Sequence, residues 1–529
     1  MIEDKRVFVY DTTLRDGAQA EGISFTLHDK IKICTLLDEF GVDYIEAGNP
    51  TSNPKDIEFF NTFKSSKLKN AKLVAFGSTR KPMGKVKNDS GVNALINSGA
   101  PVAAIFGKSW DMHVTEILRT TLDENLNMIM DTIAYLKAAN LEVVFDAEHF
   151  FDGYKRNPEY AVKTIVTAEK AGADWIVLCD TNGGTLPLEI ADIVEKAKEA
   201  VNTPLGIHCH NDSGVAEANT VLGVQKGAKM FQGTFNGYGE RCGNANITTL
   251  VPTLELKTDF KLKCSKNLTD ISSVSRYVSE IANMAHNQKA PYVGNSAFAH
   301  KGGMHIDAVL KDPESFEHIS PELVGNNRRI LMSEVSGKST VVKKIQRIAP
   351  WVTKDSKEAQ GIIDKIKQLE YEGYQFEGAD SSFELMVRRM LNMNQKFFDV
   401  KDFRVHCENK WDEENSAYAI IKVEVDGREE LAAAEGDGPV NAMDGALRKA
   451  LKVFYPQLND IRLTDYKVRV LDTAEATASK VRVHIETASK NKVWGTVGVS
   501  TNIIEASWEA LVDSIEYFLY EEKSKKGES

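Results

Sequence analysis

The sequence predicts an α/β protein: a (β/α)8 TIM barrel, then a helical connecting region, then a C-terminal α+β domain. Three observations predict it. Eight short apolar runs alternate with amphipathic stretches at roughly 30-residue spacing in the first 265 residues, the arithmetic of eight strand–helix repeats in about 250 residues. Several runs end in polar clusters, and strand tips are where such a barrel carries its chemistry. The periodicity then changes twice, after 265 and again near 403. A doubly wound open sheet is the alternative for the first half, and it requires a reversal of strand order.

The predicted strands lie at 7–10, 44–47, 73–76, 102–106, 143–145, 175–178, 205–207 and 230–234. The first helix has readable ends. Thr26 is a good N-cap, and Asp29 three residues on echoes a capping box. Leu27, Ile31, Cys34 and Leu37 follow on one face, and Gly41 can take the left-handed position that stops the helix. Residues 268–286 read as one amphipathic helix, with Ile271, Val274, Val278, Ile281 and Ala285 on one side. A loop-rich stretch at 291–303 and a helix over 355–371 complete the connecting region. Residues 417–425, 466–470 and 480–485 are β-branched and alternating, with helices over 442–454 and 507–520. The boundaries expected are 1–265, 266–402 and 403–529. The polar run 521–529 is expected to fray.

The chain has 529 residues, 42% hydrophobic and 27% charged, enough for two or three ordinary cores. A net charge of −11 argues against nucleic acid as a partner. The first residues enter the strand pattern directly, without the layout of a signal peptide, and no apolar run reaches about 18 residues. Six cysteines are scattered without a CxxC pair, so reduced thiols and a cytoplasmic location are expected, with no membrane contact.

The informative cluster is His208-Cys209-His210, followed by Asn211-Asp212-Ser213-Gly214. Alternate residues of a strand share a face, so both imidazoles point one way while Cys209 points the other and is expected to take no catalytic part. Two imidazoles on one face make half a site for a divalent metal. The bland alternative is a pair of satisfied core histidines. Arg15 and Asp16 are adjacent charges where the first apolar run gives out; a buried charge is costly unless paired or metal-bound, although a surface ion pair also fits. Asp146-Ala147-Glu148-His149, Cys179-Asp180-Thr181 and the glycine-rich 236–246 are further polar tips. Barrel closure makes strands 7, 8 and 1 neighbours, and Asp16, His208, His210 and Asn244 could then share one ion. Imidazole, carboxylate and carbonyl oxygen together suit Mn2+, Mg2+ or Zn2+.

Leu14-Arg15-Asp16-Gly17-Ala18-Gln19, ten residues, then Lys30 resembles the first signature of the 2-isopropylmalate, homocitrate and citramalate synthase family. Leu205-x-x-His208-x-His210-Asn211-Asp212-x-Gly214-x-Ala216-x-Ala218 resembles the second, and Gly239-Glu240-Arg241-Cys242-Gly243-Asn244-Ala245 is a third match. Gly436-Asp437-Gly438-Pro439-Val440-Asn441-Ala442 and residues 498–507 are similar to the family's regulatory dimer domain.

The resemblance implies a metal-dependent condensation of acetyl-CoA with a small 2-oxo acid, followed by thioester hydrolysis. It implies Asp16, His208 and His210 as metal ligands with Asn244 as a fourth. It implies Arg15 as the fixed charge on the developing oxyanion, Glu148 as the acid–base carboxylate, and Arg15, Gln19 and Thr181 as substrate contacts. The stretch Ala297-Phe298-Ala299-His300-Lys301-Gly302-Gly303-Met304-His305 is similar to the family loop that brings a catalytic histidine to the other subunit of a homodimer; His305 is the choice, ahead of His300. Some relatives carry an assisting tyrosine where this chain has Phe316 and Arg328-Arg329. Residues 18–25 with 52–56, and 369–385, resemble the longer citramalate-forming members, which implies pyruvate as acceptor and a feedback amino acid, isoleucine, at the C-terminal domain. Asn49 departs from that group. Few residues separate pyruvate from 2-oxoisovalerate, because a pocket discriminates methylenes by only about 1–3 kcal/mol, so an isopropylmalate-forming enzyme is the runner-up. An acyl-CoA lyase on the same barrel would lack the C-terminal domain, and a catalytically dead sensor would not need Arg15, Asp16 and Glu148 together.

Overall fold

Eight parallel strands close on themselves in sequence order: β1 (Phe8–Asp11), β2 (Tyr44–Gly48), β3 (Lys72–Ser78), β4 (Val102–Lys108), β5 (Glu142–Glu148), β6 (Trp175–Asp180), β7 (Leu205–Cys209) and β8 (Met230–Gly233). Each overlaps its predicted apolar run, with Val7 just before β1 and Thr234 just after β8. The closing seam pairs Phe8 with Met230 and Tyr10 with Gln232, and β7 meets β8 with His208 opposite Gln232. This computed structural model describes residues 5–51, 53–63, 68–331, 338–376, 378–393, 395–408, 416–471, 479–489 and 492–525. The first four residues, Ser52, Glu377 and the last four, all used above, lie outside that set.

The barrel interior is filled by large side chains. Tyr10 and Tyr44 stack at 5.6 Å, and Val74, Val102, Val144, Val177 and Met230 pack with them. A second layer, between strands and helices, holds Ile33, Phe59, Ile105, Phe145, Ile207 and Phe231. Cys209 belongs to this outer layer, on the face of β7 opposite the histidines.

The helix Leu27–Phe40 has the predicted ends. Thr26 and Asp29 form a capping box, and Gly41 sits at φ 97° with its N–H on the Leu37 carbonyl. Its buried face is rotated from the one expected: Lys30, Ile33, Cys34 and Leu37 are buried, while Leu27 and Ile31 are half-buried. The cause is Lys30, whose Nζ reaches inward to Asp56 Oδ1 at 2.5 Å and to the Ala47 carbonyl at 2.8 Å.

The expected single helix over 268–286 is shorter. A 3-10 stretch, Lys263–Asp270, leads into a helix over Ile271–Ile281. The chain turns at Asn283, φ 53°, and leaves Ala285 exposed. His286 folds back so that its Nε2 lies 2.8 Å from Ser275 Oγ; eleven residues of continuous helix would separate those residues by about 16 Å.

The chain divides into two compact units, Met1–Ala299 with Glu317–Arg329, and His300–Phe316 with Ile330–Ser529. The second unit contains helices Gly303–Lys311, Lys338–Ile348, Lys357–Glu372 and Asp380–Met390. It also contains two antiparallel three-stranded sheets, Asp399–Glu408, Ser416–Val425 and Arg428–Gly436, and Arg462–Val470, Val481–Ala488 and Val493–Ser500. Helix Pro439–Lys452 packs on the first sheet and Ile503–Lys525 on the second. The tail is helical through 525, further than expected, and Lys492 pairs with Glu521 at 2.6 Å.

Candidate metal centre

The turn after β1 aims two charges over the barrel mouth. Asp11 accepts from the Thr13 N–H at 3.0 Å and the Thr13 hydroxyl at 2.8 Å, and the Asp16 N–H donates to the Thr12 carbonyl at 2.9 Å. Burial lifts the Asp11 carboxyl to about 7. The turn delivers Asp16 to the ends of β7 and the loop behind it. Asp16 Oδ2 lies 3.5 Å from His208 Nε2 and 3.9 Å from His210 Nε2. All three residues are buried, and their ligand atoms fall within 4.8 Å of one another.

The protonation states suit a cation. Burial drives both imidazoles toward the neutral form, His210 down to about 3. Burial opposes the charge of Asp16, yet the Arg15 guanidinium beside it pulls the other way and the carboxyl stays below its ordinary range. Neutral imidazoles and an ionised carboxylate are what metal ligation requires. Asn244 joins the cluster through a backbone bridge to His210. Its Nδ2 donates to the Tyr238 carbonyl at 3.0 Å, while its Oδ1 is buried with no hydrogen-bond donor among the described residues. A cation is a partner that oxygen can accept, so the donor set fits a divalent metal. The loop holding Asn244 needs its glycines: Gly243 has φ 86°, and a Cβ there would meet the Gly237 carbonyl at 2.0 Å.

Arg15 is placed by residues that sequence reasoning did not single out. Its Nε donates to Glu46 Oε1 at 2.5 Å, its Nη1 lies 3.5 Å from Asp16, and its guanidinium sits 3.8 Å over the Phe76 ring. Burial works against that charge, but Glu46 and Asp16 more than compensate and the guanidinium stays protonated. Glu46 is fully buried and also accepts from the Tyr10 hydroxyl and, at 2.8 Å, from the Thr12 hydroxyl.

A cavity of about 190 Å3 opens beside the cluster. Glu148, Thr181, Asp146 and the stacked rings of Phe76 and Phe106 line it, together with Arg15 and the ligand residues. Glu148 is ion-paired with Lys108 at the tip of β4. Thr181 Oγ1 accepts the His149 N–H at 2.9 Å, which leaves its hydroxyl hydrogen free to donate. Burial, reinforced by Glu46, lifts Asp146 to about 8. Arg241 ties the loops: it holds Asp212 at 2.8 and 3.0 Å and donates to the Thr181 carbonyl at 2.7 Å.

Gln19 is exposed at the end of the 3-10 turn Gly17–Gln19 and lines a different cavity of about 400 Å3, which shares Arg15 and Phe76 with the first. His305 lies in the second unit, exposed on helix Gly303–Lys311, with its ring stacked on Phe316 at 4.1 Å. His300 is half-buried just before it. Arg328 is bidentate to Glu317, both contacts at 2.6 Å.

The HMGL-like family pattern matches residues 6–278. The pattern described as homocitrate synthase post-HMGL domain-like matches 292–373, and the LeuA allosteric (dimerisation) domain matches 377–519. The (R)-citramalate synthase of Aquifex aeolicus is 51% identical over 523 residues, covering 98% of this chain and 99% of that protein. The (R)-citramalate synthase of Geobacter sulfurreducens is 51% identical over 524 residues with the same coverage. A 2-isopropylmalate synthase of Clostridium kluyveri is 29% identical over 528 residues, covering 98% of each.

Proposed function

The chain belongs to the HMGL-like family and to its (R)-citramalate synthase branch, and on that premise we propose that it condenses acetyl-CoA with pyruvate and hydrolyses the thioester to release (R)-citramalate and CoA, on the way to isoleucine. The observation that carries the reading is the 51% identity, end to end, with two citramalate synthases. The 29% identity to an isopropylmalate-forming relative of equal length ranks 2-oxoisovalerate second as acceptor.

Asp16, His208, His210 and Asn244 would hold the ion, as Mn2+, Mg2+ or Zn2+. When bound, it supplies Lewis acidity at the acceptor carbonyl. The Thr181 hydroxyl donates to the acceptor carboxylate. Phe76 and Phe106 present apolar faces to a methyl group. Glu148 takes the proton from the acetyl methyl; the carbon so freed forms a bond to the pyruvate carbonyl carbon. Arg15, fixed by Glu46, opposes the negative charge that gathers on the acceptor oxygen. His305, delivered by its loop, returns a proton to that oxygen. Water then cleaves the thioester, giving the second carboxylate and the free thiol. Isoleucine would bind the LeuA-type domain of a cytoplasmic homodimer. Among the described residues no helix is long and apolar enough to cross a membrane.

The test is thiol release from acetyl-CoA with Mn2+ and each of pyruvate, 2-oxoisovalerate, 2-oxobutyrate and 2-oxoglutarate. Preference for pyruvate is expected. Preference for 2-oxoisovalerate moves the enzyme to leucine supply, and no release with any acceptor removes the condensation altogether.

A further inference from the structure

We propose that Gln232 is a positioning residue that decides which nitrogen of His208 faces the ion site, and that Asp146 decides which way the Gln232 amide points. The proposal rests on the reading of Asp16, His208 and His210 as the metal ligands. The three residues come from β7, β8 and β5 and cross the barrel interior as one hydrogen-bonded chain. Gln232 Nε2 donates to Asp146 Oδ1 at 3.0 Å, and Gln232 Oε1 lies 2.9 Å from His208 Nδ1. Gln232 is fully buried, and Asp146 and His208 nearly so.

A primary amide can be turned end for end, and its two ends are chemically opposite. With the NH2 end on Asp146, an acceptor oxygen must face His208. A ring nitrogen beside an acceptor is the one that carries the hydrogen, so Nδ1 is the protonated position. The lone pair of the neutral ring then lies on Nε2, the atom 3.5 Å from Asp16. Turning the amide would place a donor against Nδ1, move the ring proton to Nε2 and direct it at the ion. Asp146 opposes that turn through Oδ1: this oxygen accepts the amide N–H, with any carboxyl proton on Oδ2, and would meet the amide carbonyl after the turn. Asp146, 86 positions from Gln232 in sequence, thus selects the ligand atom of His208 through that one intervening side chain.

The test is Mn2+ affinity of the full-length, metal-stripped protein, read from the electron spin resonance of free Mn2+, for wild type, Gln232→Met, Gln232→Glu and Asp146→Leu. Methionine keeps the volume and removes both hydrogen bonds; glutamate keeps an acceptor on His208. Gln232→Met is expected to bind Mn2+ about 10–100-fold more weakly, Gln232→Glu close to wild type, and Asp146→Leu between the two. Equal affinity of Gln232→Met and wild type overturns the proposal, as does Gln232→Glu falling with Gln232→Met. Should Gln232→Met not fold, Asp146→Leu decides: weakened binding supports the relay and unchanged binding overturns it. A wild-type protein that binds no Mn2+ overturns the site and the relay together. One that binds Mn2+ yet releases no thiol overturns the activity alone.

Discussion

Glu46 shows how a single residue can organise the mouth of a barrel. One carboxylate with no exposed surface takes three donors, from Tyr10, Thr12 and Arg15. Leaving one member of a buried ion pair without the other costs about 3–5 kcal/mol, so Arg15 holds its place because Glu46 does. Glu46→Gln should lower kcat by about 100-fold, the scale of a small misplacement of a catalytic group, with a smaller change in the pyruvate KM; an unchanged kcat in the thiol-release assay refutes that role. Asp16→Ala and His210→Ala should abolish turnover with the far-UV dichroism intact, and wild-type activity in either would sink the ligand assignment. Asp146 carries the pH dependence of this neighbourhood. Its folded value, about 8, lies above the unfolded value of about 3.9. The neutral acid therefore contributes its full stability below about pH 4, and loses it as pH rises to 8. Asp146→Asn cannot ionise, so its melting midpoint should gain on that of wild type between pH 5 and pH 8, and parallel pH profiles would refute the assignment. The cluster of Asp16, His208 and His210 was legible in the sequence because His-x-His on a strand and a charge pair at a strand end are local patterns. Glu46 and Gln232 were not, because each is one polar residue inside an apolar run, and Asp146 was visible only as part of a polar strand tip, without its partner. Their meaning depends on β1 lying against β2, β7 against β8, and β5 facing β8 across the barrel interior, none of which a local pattern shows.

Elements were legible where their apolar period was undisturbed. All eight barrel strands fall on their predicted runs, whereas strand Arg428–Gly436, with three glutamates and three alanines in nine residues, has little intrinsic strand preference. Its partner specifies it: Val425 pairs with Arg428 across Asp426-Gly427, both at positive φ, the signature of a tight hairpin turn. The helix face rotated by Lys30 and the helix cut short before His286 failed for the same reason, since a polar side chain's distant partner overrode the apolar stripe. The C-terminal helix Ile503–Lys525 makes the point energetically. Glu509, Asp513 and Glu516 share one face: Arg389 contacts Asp513 and Glu516 at 2.6 Å each, while the Tyr374 hydroxyl donates to Glu509 and Ser382 to Asp513. Burial raises all three carboxyls, and Arg389 pulls against it. Raised carboxyls stabilise when protonated, and that contribution is lost as pH rises. Arg389→Leu should therefore lower the melting midpoint of this unit by several degrees at pH 8 and by clearly less at pH 5. An equal loss at both values would show that Arg389 contributes packing rather than charge.

At the scale of the molecule, two units with separate cores imply two separable stabilities. The strand–helix and barrel-interior layers supply the first unit, and the clusters around Ile421 with Leu447 and around Ile345 with Phe383 supply the second. Removing residues 403–529 should abolish amino-acid inhibition. The same cut would strip Leu385 and Phe398 from the core they share with Leu447 and Leu511, so the intact chain gives the cleaner experiment. A ligand that binds only the native state stabilises what it binds, by about 2.7 kcal/mol at a hundred times its Kd. On the proposed function, Mn2+ at the Asp16–His208–His210 cluster would act on the first unit, and isoleucine at the LeuA-type domain would act on the second. Scanning calorimetry should therefore resolve two transitions, one raised by Mn2+ and the other by isoleucine, each by a few degrees for units of this size. Valine or leucine at the same concentration should leave both in place. If one transition moved equally with both ligands, the units would melt as one cooperative body, and inhibition would have to be sought in their coupling rather than in the second unit alone.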